Sequence, residues 1–550
     1  MKSKRHVLQK LLSIRWPSIG VPSYIALERR IKLLAKALAA PGGISDDASH
    51  ARLLCMPYRA PGLVAGGDER SGPLLLLPFL VLLSLLISGC APSFRITGRD
   101  PNDPTWTRGQ SETAIAAGYG NYYGYITVAY NDDTGNESTV LYPPGSRRVL
   151  AGASLMGWSY STDRGQTWQH GTKVAPSPSF PVLWGDPAIA TFVFDPKFVF
   201  MSNLAVAASK FPPGGITGPL VNPNGSSPIG GACIARSGDG GVTFGLQQCV
   251  FTRDLDFYDG GSMASSIHGE VFAGFVNVTR NRIDIWRSPA ADGVFTLMPD
   301  PFPGHAMITH PRLRVELVSG DLYAMARDNF GTLYINRFAG GQWQQPRVAG
   351  TGAQRYPNVA LSDRTLRTGP QFSFDIGAPF IDDGRDAVRV LYTVQNAGGL
   401  HVVGSMCYAD LRSDCFPAPG WTTDFPGDQF NPNMRAFSFL WMEPAWKATF
   451  VSRDSDPVGN TVLVHIADLQ AHPDGSHALT TARLLDPQVP CPDTRSTGGY
   501  WGDYNDLQFI GADRGSGVAR FLYTFSDSTA GCVARETFTS THVHVQGVIR

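Results

Sequence analysis

The stretch that decides the fold is Trp158-Ser-Tyr-Ser-Thr-Asp-Arg-Gly-Gln-Thr-Trp168. Within it, Ser161, Asp163, Gly165 and Trp168 follow the spacing S-x-D-x-G-x-T-W. An Asp carboxylate at this spacing accepts hydrogen bonds from backbone N–H groups of a turn. The glycine supplies a positive φ that other residues resist, and the aromatic ring packs over the hairpin. The pattern therefore predicts a tight turn between two strands, with a structural and not a catalytic role for Asp163.

The same spacing returns at residues 237–244, which read Ser-Gly-Asp-Gly-Gly-Val-Thr-Phe. Ser237, Asp239, Gly241 and Phe244 occupy the equivalent places. Two copies in the same register resemble the Asp-box, or BNR repeat, of sialidase-like β-propellers, in particular an exported bacterial lipoprotein branch of that family. The resemblance implies four-stranded blades, with the boxes on the rim away from any active site.

Seven segments begin with a polar or proline-containing turn and continue into an alternating apolar run, which is typical of strands. They start at residues 110, 186, 258, 310, 356, 432 and 502. Sialidase enzymes have six blades, so the sequence predicts an all-β propeller with either six or seven four-stranded blades. A strand near residues 93–98 is expected to complete the last blade, because an open ring leaves unpaired strand edges.

Composition agrees with many short strands, since 17% of the 550 residues are charged and glycine (60) and proline (41) are abundant. An apolar run, residues 74–87, is shorter than the roughly twenty residues a membrane-spanning helix needs. It fits a secretory signal, and the Ile-Ser-Gly-Cys that ends at Cys90 resembles a lipobox. We expect Cys90 to be acylated, with the protein exported and anchored at the bacterial cell envelope, facing the periplasm or the exterior.

The predicted organisation has four parts. Residues 1–70 are interpreted as the product of a translation start assigned too early, or as a disordered tail. Residues 71–90 are interpreted as the signal peptide, 91–109 as a linker or closing strand, and 110–550 as the propeller. The first 89 residues hold 12 basic and 5 acidic residues of 46 each, so the remainder has 34 basic and 41 acidic residues, a net charge of about −7. This balance argues against nucleic acid as a partner.

Six cysteines follow Cys90, and an even number in an exported chain suggests disulfides. Two close pairs flank predicted hairpins and are candidate cross-strand bridges, although six cysteines allow fifteen pairings. No CxxC zinc spacing occurs. The six are Cys233, Cys249, Cys407, Cys415, Cys491 and Cys532.

Catalytic candidates follow only from the resemblance. Sialidases hold a substrate carboxylate with three arginines and use a tyrosine, activated by a glutamate, as the nucleophile, with an aspartate as acid/base. The candidates for these roles are Arg312, Arg355, Arg435, Glu270 and Tyr504. Salt bridges between blades, and packing in the case of Tyr504, are the alternative interpretation of each.

The element Trp-Gly-Asp occurs at 184–186 and again at 501–503, and Asp259 shares the register of Asp186 and Asp503. Such carboxylates either cap turns or bind a cation, a structural Ca²⁺ for example, at the channel mouth. The caps are favoured, and no metal or other cofactor is expected.

The sequence thus predicts a lipid-anchored propeller that binds glycan or a cell-envelope protein. The alternative is an exo-acting glycoside hydrolase on sialylated or related glycans. Fold resemblance alone does not choose between them.

Overall fold

The structure is a computed structural model. It describes residues 90–95, 110–118, 124–132, 139–141, 147–192, 195–211, 215–217, 229–355, 357–360, 365–368, 371–377, 388–423, 425, 427–437, 445–453, 462–471, 477–483, 506–512, 519–527 and 542–549. The chain divides into two units, Met1–Arg70 and Ser71–Arg550, and all of the described residues belong to the second.

The described residues form seven antiparallel blades, six with four strands and one with five. Blade 1 contains β2 (Gln110–Ala117), β3 (Ile126–Asp132), β6 (Met156–Ser161) and β7 (Gln169–His170). Blade 2 contains β8 (Val182–Thr191), β9 (Val199–Val206), β11 (Ile229–Ser237) and β12 (Gly245–Val250). Blade 3 contains β13 (Tyr258–Ser265), β14 (Val271–Asn277), β15 (Arg282–Ser288) and β16 (Thr296–Leu297).

Blade 4 has the fifth strand, since β17 (Arg312–Val315), β18 (Leu322–Arg327), β19 (Leu333–Ala339) and β20 (Gln342–Trp343) are joined by β21 (Arg347–Gly350), which pairs with β19. Blade 5 contains β24 (Phe372–Ile376), β25 (Val388–Asn396), β26 (Gly399–Cys407) and β27 (Phe416–Ala418). Blade 6 contains β28 (Gln429–Phe437), β29 (Ala445–Ser452), β30 (Leu463–Ala471) and β31 (His477–Arg483). Blade 7 contains β32 (Asp506–Ala512), β33 (Ala519–Asp527), β34 (His542–Ile549) and β1 (Cys90–Arg95).

The remaining described elements lie outside the blades. One small sheet contains β4 (Thr139–Leu141), β5 (Arg147–Val149) and β10 (Ile216–Thr217), and a hairpin contains β22 (Asn358–Ala360) and β23 (Thr365–Arg367). The helices of the described residues are the single 3₁₀ turns Ala208–Lys210 and Pro419–Trp421. In this part of the chain no helix has the length and apolar character needed to cross a bilayer.

The first strands of the blades form the inner wall of the ring. Each contacts the next, in the order β2, β8, β13, β17, β24, β28, β32 and back to β2. The prediction of a propeller is therefore confirmed, and the open choice between six and seven blades is settled at seven.

The last blade is completed by the strand that precedes the first blade in the chain. β1 pairs antiparallel with β34, with Cys90 opposite Val548 and Arg95 opposite His544. The predicted closing strand is thus present, about three residues earlier than its sequence suggested. It joins the two ends of the propeller and covers the edge that β34 would otherwise expose.

The fifth blade begins later in the chain than the sequence predicted. The segment that follows Tyr356 forms the β22–β23 hairpin, and the inner strand of blade 5 is Phe372–Ile376. Both segments contain short apolar runs bounded by polar residues, which is typical of strands, so the sequence alone does not separate them. The contacts of β24 with β17 and β28 place it in the ring.

The core lies between neighbouring blades. In β9, Phe200 packs in a cluster that includes Phe275 of blade 3, whereas Met201 packs in a cluster that includes Ala129 of blade 1. Successive side chains of a strand point to opposite faces, so a blade buried on both faces has apolar residues at consecutive positions. The predicted disulfides Cys233–Cys249 and Cys407–Cys415 are both present. The first joins adjacent strands, and the second joins a strand to the loop that follows it. Cys491 and Cys532 lie outside the described residues.

Candidate functional site

The inner strands are interrupted by bulges near one end of the channel, which we call the channel mouth. The ladder register shifts on both sides of Gly185 in β8, after Asp259 in β13 and after Phe430 in β28. Asp186 and Asn431 lie at these bulges with φ values of 57° and 51°. Asp and Asn tolerate this left-handed region better than other non-glycine residues. Bulges redirect the side chains next to them, which here are polar.

A cluster of four side chains from neighbouring blades occupies this mouth. Nε2 of His310 lies 3.4 Å from Oδ2 of Asp259, and His310 is 1% exposed. The Asp259 carboxyl is hydrogen bonded to that of Asp186, and it interacts electrostatically with Arg355. The mouth therefore combines two carboxyls, an imidazole and a guanidinium.

The ionisation of the carboxyl pair follows from these contacts. Burial by itself raises the pKa of Asp259, but the charges of His310 and Arg355 and the hydrogen bonds from His310 and Asp186 hold that pKa below its ordinary value. Two carboxyl groups can bond to each other only when one carries a proton.

The close approach of His310 to Asp259 requires a glycine at position 260. Gly260 has a φ of 42°, and a Cβ at this position would overlap the imidazole ring of His310. A residue with a side chain is therefore excluded unless His310 moves away from Asp259.

Two buried asparagines hold the Trp-Gly-Asp turn of blade 2. Oδ1 of Asn131 accepts a hydrogen bond from the backbone N–H of Asp186 at 2.7 Å, and Oδ1 of Asn203 accepts one from Gly185 at 2.7 Å. Both side chains are buried, at 6% and 0% exposure. The turn is thus positioned by its own blade and by blade 1, and Asp186 is oriented before any ligand arrives.

A hairpin with an exposed aromatic residue borders the mouth. Phe330, 85% exposed, lies at the tip between β18 and β19, where Oδ1 of Asp328 accepts bonds from the backbone N–H groups of Phe330 and Thr332. The backbone carbonyl of Gly331 at this tip accepts a hydrogen bond from the N–H of Ala353, two residues before Arg355. At the base of the hairpin, the carbonyl of Arg327 accepts one from the N–H of Ile308, two residues before His310. The hairpin that carries this apolar ring is thus tied to the segments that lead to His310 and Arg355.

Further along the same strands the channel contains a second group of charged residues. A cavity of about 40 Å³ is lined by Arg312, Arg314, Arg435 and Asp506 together with small and apolar residues. Nη2 of Arg435 lies 3.2 Å from Oδ1 of Asp506, and Nε of Arg314 lies 3.7 Å from Oδ1 of Asp375. We call these five residues the channel cluster.

The carboxylates of this cluster also connect neighbouring inner strands. Oδ2 of Asp506 accepts a bond from the backbone N–H of Ile115 at 3.1 Å, and Oδ2 of Asp375 accepts one from Ala436 at 2.8 Å. Adjacent inner strands of a propeller splay apart and do not pair by a full backbone ladder, so side-chain acceptors satisfy these N–H groups. Ser262 does the same for Leu313, and Ser373 for Met434.

The candidates named from sequence are separated by the structure. Arg312 and Arg435 share the channel cavity, whereas Arg355 belongs to the mouth. Glu270 lies in the β13–β14 turn at the opposite end of the inner strand, where it pairs with Arg287. Tyr504 and Asp503 lie outside the described residues.

Four residues of these two clusters were missed by the sequence reasoning, and one of them, Asp506, lies in the last segment that was identified as a blade start. Arg314 follows Arg312 at the alternate position of the same strand, so the sequence Arg-Leu-Arg carried a usable signal. His310 begins a segment that was identified only as a blade start. For Asp375 no signal existed, because its strand had been placed elsewhere. Among the described residues, no three His, Cys, Asp or Glu side chains are placed to share a metal ion.

The two turns with the S-x-D-x-G-x-T spacing have the same hydrogen bonds. In the first, Oδ1 of Asp163 accepts bonds from the backbone N–H groups of Gln166 and Thr167, and Oδ2 accepts one from the Thr167 hydroxyl. In the second, Asp239 accepts the two equivalent bonds from Thr243. Gly165 and Gly241 have φ values of 79° and 89°.

Each of these turns also contacts the preceding blade. The indole N–H of Trp158 in blade 1 donates to the carbonyl of Gly241 at 2.9 Å, and its ring lies 5.0 Å from that of Phe244. In the first turn, Trp168 packs against a cluster that includes Leu522 of blade 7. The turns lie between the third and fourth strands, at the end of the blades away from the mouth.

No protein-family model matches the chain, and no curated protein matches it. Among solved structures the chain is similar to a Dyadobacter fermentans protein of unknown function, at 13% identity and a TM-score of 0.36, covering 71% of this chain and 97% of that one. It is similar to the intramolecular trans-sialidase of Ruminococcus gnavus, at 11% identity and a TM-score of 0.39, covering 84% of this chain and 96% of that one. It is also similar to a Hadza microbial sialidase, at 13% identity and a TM-score of 0.36, covering 71% of this chain and 68% of that one. At these values the similarity assigns no activity to the chain.

Proposed function

We propose that this chain is an exported, lipid-anchored propeller of the Asp-box type that binds glycan at its channel mouth. The observation that carries the proposal is the convergence of Asp186, Asp259, His310 and Arg355 at that mouth. A glycan presents closely spaced hydroxyls, and a site that offers both acceptors and donors in fixed positions satisfies them. A few such polar groups beside apolar surface are typical of small-molecule sites.

Two further features support glycan as the ligand. Exposed Phe330 provides an aromatic face on the hairpin that bonds to the segments leading to His310 and Arg355, and the apolar side of a sugar ring can pack against such a face. Arg355 is a bidentate donor suited to carboxylates, so sugars that carry a carboxylate are favoured over neutral ones.

The position of β1 supports the lipid anchor. Cys90 is the first residue of β1, so cleavage immediately before Cys90 leaves the closing strand of blade 7 whole. An acylated Cys90 then ties the propeller to the membrane through a strand that also completes its ring.

Hydrolysis is the second candidate, and it rests on the Asp186–Asp259 pair, because general acid–base catalysis uses carboxyl groups held at the reacting bond. Retaining glycosidases separate their carboxyl groups by about 5 Å and inverting ones by about 6.5–9.5 Å. Carboxyls that bond to each other are closer than in either class. This separation favours binding over turnover.

The test is a glycan array of neutral and carboxylate-bearing glycans probed with the full chain. We expect saturable binding, and Asp259→Asn and Arg355→Gln each to weaken it by about tenfold or more, as expected for loss of a charge-assisted bond. The matched control is Asp254→Asn, which removes an exposed carboxylate on the same face, outside the mouth.

Absence of saturable binding to any glycan, or equal losses in Asp254→Asn and Asp259→Asn, would overturn the binding proposal. A parallel assay measures release of methylumbelliferone from its glycosides, the sialoside included. Release that disappears in both Asp186→Asn and Asp259→Asn would establish the hydrolase instead.

A further inference from the structure

The channel cluster lies deeper than the mouth. Arg312 is two residues beyond His310 on β17, and Arg435 is four beyond Asn431 on β28. At about 3.3 Å per residue this places the Cα atoms of Arg312 and Arg435 roughly 7 Å and 13 Å along the chain from those two residues. The cavity of about 40 Å³ exceeds the minimum of roughly 10–15 Å³ that one water requires. It has room for a small ion.

Positive charge is in excess within this cluster. Three arginines face two carboxylates, and each carboxylate also accepts a backbone N–H bond. Burial raises the pKa of Asp375 to about 6 against the opposing effect of Arg314, and burial likewise raises the pKa of Asp506. The five described charged groups therefore sum to +1 with both carboxylates ionised, and to more when Asp375 is protonated.

A donor in this cavity has no acceptor among the described residues. Nε of Arg435 donates to Oε1 of Gln508 at 2.9 Å and Nη2 pairs with Asp506. Nη1 of the same guanidinium is buried and bonds to no described atom. A buried charged donor without an acceptor is destabilising, and an anion in the cavity would remove that cost.

We propose that this cavity binds a small inorganic anion, of the class of chloride, held by Arg435 with Arg312 and Arg314 beside it. The anion neutralises the excess charge and connects β17 with β28 across the channel. It therefore acts as a structural ion of the ring. The site uses side chains other than those of the glycan site, since none of its three arginines belongs to the mouth cluster.

The direct test uses bromide as the probe. We expect crystals of the protein grown in sodium bromide to show an anomalous peak beside Arg435 in the channel. In solution, chloride should raise the Tm of the full chain saturably when it replaces gluconate at constant ionic strength.

Arg312→Gln should raise the half-saturating chloride concentration by about tenfold, as expected for removal of one charged donor. The matched control is Arg337→Gln, which removes a partly buried arginine paired with Asp321 in the blade and not in the channel. It should leave the half-saturating concentration unchanged. Protonation of Asp375, which faces Arg314 and Asp506, should lower this concentration between pH 7 and pH 5.

Equal Tm values in chloride and gluconate, or equal chloride responses of Arg312→Gln and Arg337→Gln, would overturn the proposal. If Arg312→Gln does not fold, the bromide crystal of the unmodified chain decides: a peak in the cavity supports the site, and its absence refutes it.

Discussion

The channel mouth and the two outer turns are both organised around an aspartate, and they differ in where its partners come from. Every bond to the Asp163 carboxylate comes from residues 161–167. Asp259 interacts with Asp186, His310 and Arg355, which belong to other blades or to segments between them. A carboxylate with local partners can build a turn by itself. One with distant partners requires the ring to close first, and it is then available to a ligand.

The largest expected effect comes from the glycine at the mouth. Gly260→Ala should destabilise the fold by about 2–4 kcal/mol, because the new Cβ overlaps His310 and the left-handed φ is unfavourable for alanine. Chemical denaturation measures this change.

Gly238→Ala in the second outer turn is the matched control. Nothing lies within 4 Å of a Cβ there, so the free energy of unfolding should change by no more than about 0.5 kcal/mol. Similar losses in both variants would show that the mouth is no more tightly constrained than the turn.

An intermediate effect separates stability from binding. Asp239→Ala removes the acceptor of the Thr243 N–H and hydroxyl bonds and should cost about 1–2 kcal/mol of unfolding free energy. Glycan affinity should not change, since the turn lies at the other end of the blade. Asp254→Ala, which removes an exposed ion pair, should cost at most about 1 kcal/mol.

The contrast between the two regions would fail if Asp239→Ala abolished glycan binding while leaving the unfolding transition in place. Asp259→Asn should instead weaken glycan binding and leave the unfolding transition in place, when glycan affinity and unfolding are both measured.

The smallest effect concerns ionisation. Hydrogen bonds from the Thr167 hydroxyl and backbone lower the pKa of Asp163 to about 2. The stabilising contribution of a lowered carboxyl pKa is fully present above the unfolded value and is lost as pH falls through the folded one, so it declines between about pH 4 and about pH 2. Thr167→Val should raise the Asp163 pKa toward its ordinary value, measured by carbon NMR with labelled aspartate.

Asp239 provides the internal control in the same spectra, because Thr167 does not contact it. An Asp163 that already titrates at its ordinary pKa in the unmodified chain would contradict the hydrogen-bond network of the turn.

The features that sequence predicted correctly are those whose partners lie nearby in the chain. The turn that follows Ser161 needs only residues 161–168, and the Cys407–Cys415 bridge joins residues eight apart. The closing strand was expected from the need to pair an open edge, which is a property of the whole ring. The blade start predicted at Tyr356 was wrong because that segment resembles a strand as Phe372–Ile376 does, and only contacts with neighbouring blades distinguish the two.

The candidate site could be predicted only in part. Arg312, Arg355 and Arg435 were named as candidates from the resemblance, but no spacing indicated that Arg355 joins the mouth and the other two join the channel cavity. Asp186 and Asp259 share a register in the sequence, yet their hydrogen bond depends on how two blades meet. Glu270 was an equally plausible candidate until its strand placed it at the opposite end.

The sequence by itself therefore determined the repeating strands, the two Asp-centred turns and the class of fold, because backbone conformation, alternation and short loops act over a few residues. The tertiary structure decided the number of blades and which charged side chains share the mouth and the channel. The physical reason is ring closure. Seven inner strands, separated by tens of residues in the chain, converge on one channel, and bulges then set which of their side chains face it.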